Sequence, residues 1–209
     1  MGKRTLKDYP HVRLELEPGL GILDLAEVFG RDAPTHLEIG SGKGTFILNQ
    51  ASAQPEVNFL GIEWANRYFR YAVDRVGRWG LSNIRLIRTD AAAFVRDHLE
   101  DHTIDWIHIY FPDPWPKRRH QKRRFINDQN IEQLLRVLKK GGRMQIITDH
   151  PDYWRQIQEV LERHASCFDF VRFQPTASAT AGEWVGTNFE RKYLKEERAF
   201  YAVAIEKKA

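Results

Sequence analysis

Cysteine is almost missing from this chain. Cys167 stands alone among 209 residues, so an intrachain disulfide and a cysteine-rich zinc site are both excluded. Long apolar runs are missing too, since none approaches the ~18 residues that a membrane-spanning helix needs. The opening stretch MGKRTLKDYP has no apolar segment of the signal-peptide kind, so a cytoplasmic protein with no membrane partner is expected. No internal repeat is present. What remains is a composition 42% hydrophobic and 29% charged, enough to bury one core, and a single domain over residues 1–209 is expected. Within it, residues 1–33 read as an N-terminal extension with no specific expectation attached.

Charge of one sign is scarce overall, with a net of only +4, but it is concentrated in one place. The segment FPDPWPKRRHQKRR (residues 111–124) sets Asp113 among three prolines and a tryptophan, then places six cations between Lys117 and Arg124 with no acid among them. Without that run the chain would be net negative. Such a local patch on a near-neutral body points to polyanion docking more than to general stickiness, against the plainer reading of a solvated loop.

Short β-rich runs alternate with helix-period stretches. The runs are HLEI (36–39), NFLGIE (58–63), IRLIRTD (84–90), IDWIHIYF (104–111) and RMQIITD (143–149). Between them lie GTFILNQASA, ANRYFRYAVDRVGRWG, AAAFVRDHLE and NDQNIEQLLRVLKKGG, the last read as a helix closed by cations and a glycine pair. This alternation predicts an open, mainly parallel α/β sheet with helices on both faces. PDYWRQIQEVLERHA predicts a further helix opened by Pro151, and CFDFVRF and RAFYAVAIEKK predict strands that add an antiparallel end to the sheet. Residues 174–197 form a loop too long for a mere connector.

EIGSGKG (residues 38–44) follows a strand and opens a helix, where glycines permit a tight turn and close approach by a ligand. A P-loop would need Ser or Thr after Lys43, and Gly44 stands there. A dinucleotide fingerprint would need glycine where Thr45 stands. A plain structural turn stays open. Glu38, before the glycines, would repel a pyrophosphate and suits a ligand bearing an amine. Glu63 ends the second strand where an acid takes ribose hydroxyls in such folds, and Asp90 ends the third, placed to accept from an adenine amino group. Asp113 follows the fourth strand and Asp149 the fifth. Singly, each is a candidate helix cap. As a series they describe a site for S-adenosylmethionine, which carries an amine, a ribose and an adenine but no phosphate.

EIGSGKG, FLGIEWA, RTDAAAF, FPDPWPKRRHQKRRF, TDHPDYW and TNFERKY, in this order from residue 38 to 193, resemble the tRNA (guanine-N7)-methyltransferases. The resemblance implies a Rossmann-like class I methyltransferase fold with an antiparallel C-terminal strand. It implies methyl transfer from S-adenosylmethionine, leaving S-adenosylhomocysteine, to N7 of guanine 46 in the tRNA variable loop. It further implies that Glu38, Gly40, Glu63, Asp90 and Asp113 contact the cofactor, with Asp113 also catalytic. Lys117, Asp149, Thr187, Asn188, Phe189 and Glu190 would hold the substrate. Arg119, His120, Gln121, Lys122, Arg123 and Arg124 would meet the RNA backbone. Neither a metal nor an obligate protein partner is expected.

The chemistry of the residues agrees. N7 of guanine has a free lone pair and no proton to lose, so no strong base is needed. Asp113, held by Pro112 and Pro114, would orient the base and offset the positive charge growing on it. Trp115 is a stacking face for an extruded base or a core residue under the loop, and Trp184 is open between stacking and anchoring. Tyr68, Phe69, Tyr71 and Trp79 read as core or interface. His98 and His102, four apart, read as a polar helix end more than as metal ligands. A dinucleotide-dependent oxidoreductase and a non-catalytic RNA-binding module are the rival functions.

Overall fold

The computed structural model describes residues 5–209 except Pro18 and Leu20. Seven strands form one sheet: β1 (Thr35–Ile39), β2 (Asn58–Ile62), β3 (Ile84–Ile87), β4 (Ile104–Tyr110), β5 (Leu138–Thr148), β6 (Phe168–Val171) and β7 (Tyr201–Lys207). The helices are α1 (Leu25–Phe29), α2 (Thr45–Ala53), α3 (Asn66–Trp79), α4 (Ala91–His98), α5 (Asp128–Val137), α6 (Pro151–Arg163) and α7 (Asn188–Lys195). The strand order is β3-β2-β1-β4-β5-β7-β6. Helical crossovers make β1 to β5 parallel, and β7 alone runs against its neighbours. This is the expected architecture.

Every residue of β1 and β2 is buried, as central strands covered on both faces must be. Val12, α2 and α3 pack with β2 and β3 in one apolar cluster, while residues of α4, α5 and α6 belong to the larger cluster of the other layer. The order reverses between β1 and β4, so the loops after their carboxyl ends diverge and leave a crevice at that edge.

One expectation needs correction. NDQNIEQLLRVLKKGG is not helical to its glycines: α5 ends at Val137, and Leu138 is already extended and paired with Ile104. Leu138 is fully buried, so the sheet captures it, and Lys139–Gly142 form an irregularity where the β4–β5 register shifts. In α3, Phe69 is buried, but Tyr68, Tyr71 and Trp79 are 42%, 40% and 57% exposed. Phe69, Ala72, Val73 and Val76 already complete the inward stripe at helical spacing, which leaves these three rings outside.

Residues 9–14 pack against β3 and α3. Val12 and Leu14 exchange backbone hydrogen bonds with Leu86 at 2.8 Å, extending the sheet beyond β3. Tyr9 lies against Gly77 so closely that a Cβ there would sit 2.0 Å from the ring.

Candidate functional site

After β1, Gly40, Gly42 and Gly44 all have left-handed backbone (φ 82°, 54° and 68°). At Gly44 a Cβ would also meet Ala72 at 2.9 Å, so the turn and the α2–α3 contact both require glycine. The turn is anchored from β2. Gly40 and Ser41 N–H donate to the Ile62 carbonyl, and Gly42 N–H donates to Glu63 Oε2 at 2.7 Å. Glu63 Oε1 accepts from Ala65 N–H, so this carboxylate ties the glycine turn to the start of α3.

Glu38 is 5% exposed, and its Oε2 and the nearby Ser41 Oγ are buried without a hydrogen-bond partner. Burial pushes its carboxyl up to about 8; the Ser41 hydroxyl opposes the shift and the charge of Glu63 adds to it. A buried carboxylate facing no cation is costly, and an amine brought beside it would relieve that cost. The donor set therefore fits the amine of the expected cofactor.

The other acids follow the same edge. Asp90 caps α4 through Ala93 N–H at 2.9 Å and remains exposed. Asp149 accepts from Arg198 at 3.1 Å. Asp113 is exposed and makes no hydrogen bond or ion pair with the described residues. Its loop is strained on both sides: Phe111 and Trp115 have φ of 52° and 42°, which side-chain-bearing residues rarely adopt. Phe111 is held there by Tyr193 and Phe200, with ring centroids 5.6 and 5.4 Å away. Trp115 meets the edge of His120 at 5.9 Å and lies under the Arg123 guanidinium at 5.0 Å.

The basic run is a 3-10 helix over Arg118–Arg123. Lys117, Arg118, Arg119, Lys122 and Arg123 are exposed, and His120 and Gln121 are half-buried. Gln121 donates to Asp152 at 3.0 Å. Arg124 corrects the expectation of a backbone contact. It is 3% exposed, donates to the Pro114 carbonyl, Gln156 and Asp152, and lies 4.9 Å over the Tyr153 ring. It clamps the FPDPWP loop onto α6 and has no face for a phosphate.

In the 174–197 loop, TNFE builds the start of α7. Thr187 caps it through Glu190 N–H at 3.0 Å. Glu190 is 1% exposed and accepts from Trp184, Val185 and Gly186 N–H. Both side chains turn inward and shape the loop that presents Asn188 and Phe189. Asn188 donates to Thr45 Oγ1 at 2.7 Å and Gln50 to Ser178 at 2.6 Å, which lays this loop over α2, beside the glycine turn. Phe189 is 52% exposed, and Trp184 packs on Phe173 with centroids 5.5 Å apart.

A buried polar chain escaped the sequence reading. His36 Nδ1 meets His108 Nε2 at 3.2 Å, His108 Nδ1 meets Tyr110 OH at 2.8 Å, and Tyr110 donates to Gln145 at 3.0 Å. Gln145 then donates to the Gln174 carbonyl. Burial lowers His36 to about 4 against the opposing pull of Asp105, and lowers His108 well below its usual value. The only sequence signal was polar residues at alternate positions in otherwise apolar strands.

His98 and His102 each reach a backbone carbonyl, of Gly21 and Leu138, and share no ligand. Among the described residues no His, Cys, Asp or Glu group is arranged to hold a metal, and no helix is long and apolar enough to cross a membrane.

A family model described as putative methyltransferase matches residues 32–203. A tRNA (guanine-N(7)-)-methyltransferase of Nitrosococcus oceani is 43% identical over 73% of this chain and 65% of its own length. One from Streptococcus thermophilus is 33% identical over 90% of this chain and 87% of its own. Among solved structures, an antibiotic-related methyltransferase superposes with a TM-score of 0.61 at 16% identity, covering 86% of this chain and 91% of that one. A SAM-dependent methyltransferase from Aquifex aeolicus gives 0.53 at 16% identity over 88% and 86%. The match runs from before β1 into the first residues of β7, and the glycine turn, the FPDPWP loop and α7 all lie inside it, so the chain belongs to the putative methyltransferase family that includes the tRNA (guanine-N(7)-)-methyltransferases.

Proposed function

We propose that this chain is an S-adenosylmethionine-dependent enzyme, a single methyltransferase domain, that methylates N7 of guanine 46 in the tRNA variable loop. The observation that carries the reading is the pairing, at one sheet edge, of a buried unpartnered carboxylate, Glu38, with an exposed, proline-framed one, Asp113, followed at once by five exposed cations. A dinucleotide-dependent oxidoreductase is disfavoured because Glu38 stands before the glycine turn and Thr45 stands where the fingerprint needs its third glycine. A non-catalytic RNA-binding module would have no use for either acid.

When bound, S-adenosylmethionine supplies a methyl group on a sulfonium and leaves as S-adenosylhomocysteine. Glu38 holds the amine, and Gly40 lets the ligand approach the backbone. Glu63, already fixed by two N–H donors, takes ribose hydroxyls with its remaining lone pairs, and Asp90 accepts from the adenine amino group. Asp113 accepts from guanine N1–H and the exocyclic amine, orients N7 in line at ~3–3.5 Å, and offsets the charge growing on the purine. Lys117, Asp149, Asn188 and Phe189 line the approach of the base, with residues 174–197 as the substrate loop. Arg119, Lys122 and Arg123 contact phosphates.

The test combines the protein, labelled S-adenosylmethionine and unmodified tRNA, then maps the methyl group. The reading expects label at guanine 46 N7; label in no RNA, or on an exocyclic amine, overturns it. Asp113→Ala is expected to lower turnover at least 100-fold with tRNA affinity within about threefold of wild type. Near-normal turnover would remove Asp113 from the mechanism. With Arg119, Lys122 and Arg123 each neutralising a phosphate, log K is expected to fall with log salt at a slope of roughly −2 to −2.7 from that run alone.

A further inference from the structure

Four of the nine exposed large apolar side chains among the described residues fall between residues 64 and 79: Trp64 (69%), Tyr68, Tyr71 and Trp79. Trp64 stands just before α3, and the other three share its outward arc with Arg67, Arg70 and Arg78, all exposed, and with the half-buried Arg75. The one acid of the helix, Asp74, is 1% exposed and held by Arg78 and by Lys7 N–H, so the helix itself presents no negative charge, and Asp8, which lines a pocket with Arg70, is paired with Arg13. Arg67 and Arg70 make no hydrogen bond or ion pair with the described residues. The arc reaches the candidate site: Trp64 follows Glu63, and Lys43 of the glycine turn lies 5.8 Å over the Tyr71 ring.

We propose that the outward face of α3 is a second docking surface for the tRNA, contiguous with the glycine turn and distinct from the 3-10 helix over Arg118–Arg123. This deepens the proposed function and rests on its tRNA reading. Charge complementarity selects the occupant. A protein interface would gather its rings into a charge-poor centre, whereas here exposed arginines are interspersed with the rings along the helix and Lys43 lies over Tyr71. Unneutralised cations meet phosphates, and rings at helical spacing offer faces to unstacked bases or riboses. The helix is about 21 Å long at ~1.5 Å per residue, long enough to follow several nucleotides.

The experiment titrates a fluorescently labelled, unmodified tRNA transcript with wild type, with Arg67→Glu/Arg70→Glu, and with Trp79→Ala, at several salt concentrations. Circular dichroism and S-adenosylmethionine affinity are measured for each protein. The proposal expects the double variant to lose at least tenfold in tRNA affinity and its salt slope to shrink by about two, with fold and cofactor affinity unchanged. Trp79→Ala, which removes no charge, is expected to lose affinity about threefold or more with its slope intact. If wild type methylates tRNA and the double variant binds it with unchanged affinity and slope, the docking surface is overturned while the proposed function stands. If wild type neither binds nor methylates tRNA, both fall. If sedimentation shows wild type self-associating and the double variant monomeric, with tRNA binding equal, the face belongs to a second copy of this chain and the RNA proposal is overturned.

Discussion

Glu38 illustrates what burying one carboxyl without a cation does to stability. In the unfolded chain its carboxyl ionises near 4.5; in the fold, at about 8. Its contribution to stability is therefore full below about pH 4.5 and declines as pH rises towards 8, because only the unfolded chain ionises in that window. Glu38→Gln is expected to raise the ligand-free melting temperature between pH 6 and 8. The same variant should bind S-adenosylmethionine at least tenfold more weakly and lose the proton release that accompanies binding to wild type. Calorimetry in two buffers of different ionisation enthalpy reads that release. Arg124 makes the opposite point. Arg124→Ala is expected to cost about 2–3 kcal/mol in urea unfolding, because its charged hydrogen bonds clamp a strained loop. Arg119→Ala, fully outside, should cost under about 0.5 kcal/mol yet weaken tRNA binding. Both arginines look alike within KRRHQKRR, and nothing in that string marks which one turns inward.

At the level of elements, α7 and the loop before it depend on one carboxylate. Glu190 gathers three backbone donors, and Asn188 fastens the helix to Thr45 at the head of α2. Glu190→Ala is expected to speed hydrogen exchange at the Trp184, Val185 and Gly186 amides by more than tenfold while the strands keep their protection. The Thr-x-x-Glu spacing carried a legible capping signal; the inward turn of the glutamate did not. The end of α5 shows the same limit. Cations and two glycines are the usual helix stop, yet burial of Leu138 against β4 outweighs that local preference and starts the strand early.

Across the whole molecule, a neutral histidine pair crosses the sheet from β1 to β4. His36 has its imidazole lowered to about 4 by burial, so its contribution is full above about pH 6.5 and is lost as pH falls towards 4. Thermal melts are expected to decline over that window, and His36→Gln should flatten the decline. An unchanged profile would show that this pair does not govern acid stability. The windows of His36 and Glu38 overlap between about pH 4.5 and 6.5, where the two effects oppose each other, so the acid decline should be steeper in Glu38→Gln than in wild type.

Alternation of β-rich and helix-period segments was enough to determine the parallel sheet, because each crossover leaves few ways to pair the next strand. The acids at successive strand ends likewise pointed to one edge of the sheet, since a parallel sheet delivers all those ends to one side. Tertiary structure alone decided which polar groups face water: Arg124, Thr187 and Glu190 turned inward, Tyr68, Tyr71 and Trp79 outward, and the two histidines met across strands. Those outcomes depend on contacts between residues distant along the chain, where the burial of a neighbour, rather than local propensity, sets the direction of a side chain.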